Sequence, residues 1–291
     1  MSVKVAAWNV KRGLGNEYEG LIFNGLDQLN ADVVVLSEAY STNDTTPDGL
    51  EEDVIGRVSE FAERQGYDYI AQTPYQESGL RSPNESEPGE QTYLMVLGRE
   101  VIKSANLIRL YNRDALDLNI VDQQTGISIQ GIAAHFDDRH EYYRQKMTID
   151  LISNLDPNRP SLLMGDLNAM NANSSAARLL RTNAARYIAN HSFTERMKSI
   201  TSRSIEMANG SILRGLEQYG FEDAARFGES TVKLAGIPFG RIDYIMVARS
   251  KTKNYKDIVA EPVCVRNFRG SDHKAISAVI RTNLERQSEE V

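Results

Sequence analysis

The residues of this 291-residue chain that could do chemistry sit at the ends of apolar runs. The clearest case is Leu162-Leu163-Met164-Gly165-Asp166-Leu167-Asn168-Ala169, where Gly closes the run and Asp and Asn follow with one residue between them. Such a run reads as a buried strand closing in a turn. If the backbone stays extended there, residues two apart point to the same side. Asp166 and Asn168 would then share a face at the open end of a sheet. A carboxylate accepts hydrogen bonds and can take a proton, and an Asn amide both donates and accepts. Together they could hold a phosphate and a water. An Asx turn capping the strand is the alternative. The pattern recurs along the chain. The run from Val3 to Trp8 ends at Asn9, Val33–Ser37 at Glu38, and Gly126–Ala134 at His135. Asp243 lies near the start of Arg241–Val247, and Arg269–His273 is a polar tip carrying Asp272 and His273. A strand buried in a core does not need polar ends. Several together predict one edge of a sandwich where they meet.

The elements that must position these tips are legible from periodicity. A helix is expected from about Glu17 to Asn30, with Leu21, Ile22, Leu26 and Leu29 on one face. A second runs from about Leu50 to Gln65, with Gly66 as its C-cap, and a third from about Arg139 to Leu155, with Met147, Leu151, Ile152 and Leu155 inward. Val33–Leu36 is β-branched and apolar throughout, which suits a strand covered on both faces. Further strands are expected at Tyr67–Ile70, Gln91–Leu97, Val101–Leu110, Ile258–Val265 and Ala275–Ile280. Thr73–Glu90, with three Pro and two Gly, reads as a long loop, and Gly236–Gly240 as a turn. Residues 171–215 are polar and helical in period, with seven Lys/Arg against two Glu. That basic helical insertion is about +5 and leaves about −12 for the remainder. No repeat or linker interrupts the rest, so residues 1–291 read as a single domain.

Bulk properties set the outer limits. Hydrophobic residues make up 41% and charged residues 25%, ordinary values for a soluble globular protein. No apolar run approaches the roughly 20 residues a membrane helix needs. The N-terminus lacks a secretory layout, and the single Cys264 excludes an internal disulfide, so the cytoplasm is the expected compartment. Trp8 and Cys264 read as packing residues. A net charge of −7 argues against indiscriminate nucleic-acid binding over the whole surface, while allowing a local basic patch.

Taken in order, Trp8–Asn9–Val10, Leu36–Ser37–Glu38, Ala134–His135–Phe136, Gly165–Asp166–Leu167–Asn168, Arg241–Ile242–Asp243–Tyr244–Ile245 and Ser271–Asp272–His273 span almost the whole chain. This ordered set resembles the endonuclease/exonuclease/phosphatase superfamily, metal-dependent phosphoesterases related to pancreatic deoxyribonuclease. The resemblance implies an α+β fold: a four-layer αββα sandwich, two mostly antiparallel sheets packed face to face with helices outside. It implies hydrolysis of a phosphoester by in-line water attack assisted by Mg²⁺, or by Mn²⁺ in its place. Hard oxygen ligands suit Mg²⁺, which keeps several of its own waters. Glu38 would be the first metal ligand, joined by Asn9 and by Asp272 directly or through water. His273 would be a general base or a donor to the phosphoryl oxygen, oriented by Asp243. Asp166 would orient or deprotonate the water or protonate the leaving group. Asn168 would bond the phosphate and Asp166, and His135 would be a second phosphate-facing imidazole. The family often has Gln where Ser37 stands. Glu90 is a candidate for a further Glu that orients the first His.

A His at position 135 fits the branch of deoxyribonucleases, sphingomyelinases and tyrosyl-DNA phosphodiesterases better than that of abasic-site endonucleases. The expected partner is therefore a phosphodiester, foremost a nucleic acid, gripped in part by the basic insertion. The alternatives are a phosphatase of the inositol-phosphate type, a sphingomyelinase and a non-catalytic scaffold. No membrane partner is expected.

Overall fold

The computed structural model describes residues 2–11, 13–14, 17–42, 50–73, 76–77, 91–138, 140–171, 175–180, 182, 204–224, 231–234, 237–249, 257–269 and 271–283. In chain order the elements begin with β1 (Val3–Asn9), α1 (Glu19–Leu29), β2 (Val33–Ser37), β3 (Ser41–Thr42) and α2 (Leu50–Gln65). Next come β4 (Tyr69–Gln72), β5 (Gln76–Glu77), β6 (Gln91–Thr92), β7 (Met95–Gly98), β8 (Ile102–Leu110), β9 (Arg113–Val121) and β10 (Ser128–His135). Then follow α3 (Glu141–Ser153), β11 (Ser161–Asp166), α4 (Ser175–Leu180), α5 (Ser211–Tyr219) and β12 (Phe221–Asp223). The last are β13 (Val232–Leu234), β14 (Ile237–Gly240), β15 (Asp243–Ala248), β16 (Asp257–Arg266) and β17 (Ala275–Asn283).

Among the described residues twelve strands form two six-stranded sheets, ordered β16-β17-β1-β2-β7-β4 and β12-β15-β11-β10-β9-β8, and the other five form the small sheets β3-β6-β5 and β13-β14. Each is antiparallel except for one parallel pair, β1 with β2 and β10 with β11. A parallel pair needs a crossover, and α1 and α3 supply them. Three apolar clusters define the layering. Val3, Val5, Ala7, Val33 and Val35 of one sheet meet Leu162, Met164, Ile245 and Val247 of the other between the sheets. Ala6, Trp8, Val34 and Leu36 face α1 and α2 through Ile22, Leu26 and Phe61. Ile132, Leu163, Tyr244 and Met246 face α3 and α5 through Met147, Leu151, Ile212 and Leu216. The order is helices, sheet, sheet, helices, the expected αββα sandwich. Strand side chains alternate between faces, which is why odd positions of β1 and β2 enter the middle layer and even positions meet helices.

Several expectations needed correction. Leu21 is 38% exposed and does not belong to the buried face of α1. Arg113–Val121, where no element was expected, is a nine-residue strand. Ile237–Gly240, expected as a turn, is a strand paired with β13. Of the basic segment 171–215, residues 171, 175–180, 182 and 204–215 are described, among them α4 and the start of α5, while Glu90 lies outside the described residues.

Candidate active site

Alternation carries the site out of the core. Val3, Val5 and Ala7 point between the sheets, and so does the next residue of that register, Asn9. Leu162 and Met164 lead in the same way to Asp166, and Ile129 and Ala133 lead to His135. Ile245 and Val247 lead back to Asp243. Pairing sets three of these side by side, with His135 opposite Asp166 and Asp166 opposite Asp243. The site is thus the end of the inter-sheet layer, where apolar side chains give way to polar ones. Gly165 allows the approach. Its φ is +136°, and a Cβ there would lie 2.0 Å from the Ala134 carbonyl oxygen, so any side chain would push β10 and β11 apart beside the site.

The geometry is tight. The Asn9 amide donates to Glu38 Oε1 and to Asp166 Oδ2, both at 3.0 Å, so it links the two sheets. Asp243 Oδ2 lies 2.9 Å from His273 Nδ1, and Asp166 Oδ2 lies 4.0 Å from the same nitrogen. His135 Nε2 is 3.8 Å from Glu38 Oε1. Asp272 Oδ1 is 4.0 Å from His273 Nε2, while its other oxygen takes the Lys11 ammonium at 2.5 Å. Asn9, His135, Asp166, Asp243 and His273 are all buried. Asn168 departs from the expected face. Its φ is +47°, and its backbone N–H donates to Asp166 Oδ1 at 2.8 Å, an Asx turn. Its side-chain amide donates to the Phe136 carbonyl at 2.9 Å. Asn168 therefore ties down Asp166 and the end of β10.

Electrostatics separates these groups. Burial, reinforced by the charge of Asp243, raises Asp166 to about 7, against the pull of His273, Asn9 and Asn168. Burial alone would lower His273, but its contact with Asp243 and the nearby Asp166 and Asp272 outweigh it and raise it to about 10. Burial and the Arg113 charge hold His135 well below the usual imidazole value. Near neutral pH the cluster thus holds an imidazolium, a neutral imidazole and a carboxyl poised to gain or lose a proton.

Several residues beyond the motifs hold this arrangement. Arg113, buried at the start of β9, donates to the His135 and Phe136 carbonyls at 3.4 and 3.0 Å and pairs with Asp138 at 2.9 Å. The Thr231 hydroxyl accepts the backbone N–H groups of Ile242 and Asp243 at 3.1 and 3.2 Å. Ser271 donates to the Asn9 carbonyl at 2.7 Å and accepts the His273 N–H at 3.0 Å. Trp8, read as packing, also donates its indole N–H to the His273 carbonyl at 3.2 Å. Arg113 and Thr231 carry no local sequence signal, whereas Trp8 and Ser271 sit inside the first and last motifs.

Among the described residues one group of donors lies close enough together to hold a cation. Asp166, Asp243 and His273 offer atoms within 4.8 Å of one another. The His273 nitrogen facing the two carboxylates is engaged by Asp243, and a protonated imidazole repels a cation. Glu38 and Asp272 are more open, with side chains 23% and 35% exposed. Asp272 Oδ1, Asp243 Oδ1 and His135 Nε2 are buried without a hydrogen-bond partner among the described residues. Such atoms cost about 1–3 kcal/mol each, roughly what one buried Val or Leu contributes, so the adjoining apolar layer outweighs them. Carboxylate oxygens such as those of Glu38, Asp243 and Asp272 suit a hard divalent ion.

Comparison with known proteins agrees with this construction. The family model described as "Endonuclease/Exonuclease/phosphatase family" matches residues 6–273. A search of curated proteins finds no match by sequence. Among solved structures, an endonuclease/exonuclease/phosphatase from Beutenbergia cavernae is 17% identical with a TM-score of 0.64, covering 97% of this chain and 72% of that one. A family protein from Leptotrichia buccalis is 15% identical with a TM-score of 0.60, covering 96% and 99%. The 3′ phosphatase NExo from Neisseria, bound to product DNA hairpin, is 15% identical with a TM-score of 0.55, covering 96% and 99%. With the family model spanning nearly the whole chain and the fold shared along its length, the chain belongs to the endonuclease/exonuclease/phosphatase family, hydrolases of phosphoester bonds.

Proposed function

We propose that this protein is a divalent-metal-dependent phosphodiesterase whose substrate is a nucleic acid. The observation that carries the reading is the meeting of the buried Asn9, Asp166, Asp243 and His273 with the partly exposed Glu38, drawn from both sheets. Glu38, with Asn9 and Asp272, would hold Mg²⁺ or Mn²⁺, and a bound ion would neutralise charge developing on the phosphoryl oxygens. His273, kept protonated by Asp243, donates a hydrogen bond to a non-bridging oxygen and favours the more highly charged transition state. His135, neutral, offers one further N–H. Asp166 titrates near neutrality, so it can take the proton of the attacking water and return it to the leaving oxygen. Asn9 and the Asn168 N–H hold that carboxyl in place through both of its oxygens.

The nucleic-acid reading is supported by the net positive segment 171–215. The fold shared with a 3′ phosphatase bound to a DNA product adds to it. Purified protein is to be offered single- and double-stranded DNA, RNA, abasic DNA, phosphoinositides and nucleotides, with Mg²⁺, Mn²⁺ or chelator. Salt-sensitive polynucleotide cleavage abolished by chelator is expected. Phosphate release from small monoesters alone, with every polynucleotide intact, would overturn the reading in favour of a small-molecule phosphatase.

A further inference from the structure

Beside the hydrolytic cluster lies a group of aromatic side chains that the chemistry above does not use. Tyr111 occupies the turn between β8 and β9, and Tyr142 and Tyr143 open α3. The Tyr111 ring lies 6.3 Å from Tyr142, edge-on, and 5.5 Å from Tyr143. His140 packs edge-on against Tyr143 at 5.1 Å, and the Lys146 ammonium stands 5.5 Å over the Tyr142 ring. Tyr111 and Tyr142 are 42% and 55% exposed. Large rings left this open together are unusual unless something covers them.

The cluster is joined to the site. Asn112 donates to Asp137 at 3.0 Å, and Arg113 reaches the His135 and Phe136 carbonyls. Asp137 accepts the His140 N–H at 2.8 Å, so both halves of the aromatic group are anchored within a few residues of His135. Leu110 pairs with Arg113, so Tyr111 and Asn112 form a two-residue hairpin turn. Tyr111 has φ +55° at the first of these positions, where Gly is favoured. A bulky residue held there is strained and places its ring on the cluster. The acidic groups around it are engaged by arginines: Asp114 by Arg109, Asp138 by Arg113 and Glu141 by Arg144. An anionic strand is therefore not repelled by bare carboxylates.

We infer that Tyr111, Tyr142 and Tyr143, with Lys146, form a stacking platform for unpaired nucleobases of a single-stranded polynucleotide whose phosphate enters the neighbouring site. Aromatic faces take any base, and Lys146 meets the backbone charge. This rests on the nucleic-acid reading above and names the form of substrate it favours. The test pairs binding with hydrolysis. Binding of a fluorescein-labelled oligothymidylate is measured in chelator, where cleavage is off, for wild type, Tyr142→Ala, Tyr142→Phe and Tyr111→Gly. Hydrolysis of bis(p-nitrophenyl) phosphate is measured with Mg²⁺. Losing one stacked ring is worth about 1–3 kcal/mol, about 5- to 150-fold in Kd. Tyr142→Ala and Tyr111→Gly are expected to weaken binding within that range, Tyr142→Phe to retain it, and bis(p-nitrophenyl) phosphate turnover to stay within twofold. No wild-type binding, or equal binding by all four proteins, overturns the platform even if the small diester is hydrolysed. Aromatic-dependent binding without small-diester hydrolysis supports the platform and contradicts the reaction.

Discussion

The two parallel pairs make an internal comparison. β1–α1–β2 ends in Asn9 and Glu38, and β10–α3–β11 ends in His135 and Asp166. Each unit turns past its second strand through a residue at φ +47°, Glu38 in the first and Asn168 in the second. The architecture is alike and the environments differ. Glu38 keeps 23% of its side chain exposed, whereas Asp166 is buried beside Asp243 and is raised to about 7. A carboxylate open to solvent can be reached by a cation. A buried one beside another acid is poised to carry a proton. Burial and neighbours, rather than residue type, divide the labour between the two units.

The sharpest way to break this comparison is to remove only the titration. Asp166→Asn keeps the shape and one of the two hydrogen bonds that the carboxyl accepts, and kcat on any substrate found should fall about 10²- to 10⁴-fold, measured under saturating metal. Because the fold raises this carboxyl, its charged form opposes folding above pH 7. Thermal unfolding should therefore show the variant gaining on wild type between pH 5 and pH 8, whatever the lost hydrogen bond costs at either pH. Next in size is Asp243→Ala, which leaves His273 buried without its partner. Denaturant unfolding should show a loss of about 3–5 kcal/mol, as for other broken buried pairs.

A smaller effect follows from His273. Its value is about 10 in the folded protein against 6.5 ordinarily. The stability it contributes is complete below pH 6.5 and is lost as pH rises through 10. Unfolding free energy measured from pH 6 to 10.5 should fall more steeply for wild type than for His273→Gln. Smallest of all is Lys11→Ala. The Lys11–Asp272 pair is largely open to water, so its loss should change stability by no more than about 1 kcal/mol.

Much of this was legible in the sequence because strand periodicity is a local signal. Runs such as Val33–Leu36 and Leu162–Met164 announce both the sheets and the polar ends that follow them. What was not legible depends on distant partners. No element was expected over β9, where Arg113 and Asp114 follow a Tyr-Asn turn, and Arg113 is buried because the His135 and Phe136 carbonyls lie across the sheet. The sequence left Asn168 between an extended strand end and an Asx turn, and the structure takes the turn: the Asp166 carboxylate captures its N–H and curls the chain. The displaced titrations of Asp166 and His273 arise from groups far apart in sequence, and no local pattern encodes them.

The most direct test measures Mg²⁺ binding by calorimetry to wild type, Glu38→Gln and Asp166→Asn, each checked for folding by circular dichroism. The account predicts at least about tenfold weaker binding for Glu38→Gln and near wild-type affinity for an Asp166→Asn protein that no longer turns over. Loss of metal by Asp166→Asn, with Glu38→Gln binding normally, would contradict it and move the cation to the buried Asp166–Asp243–His273 group.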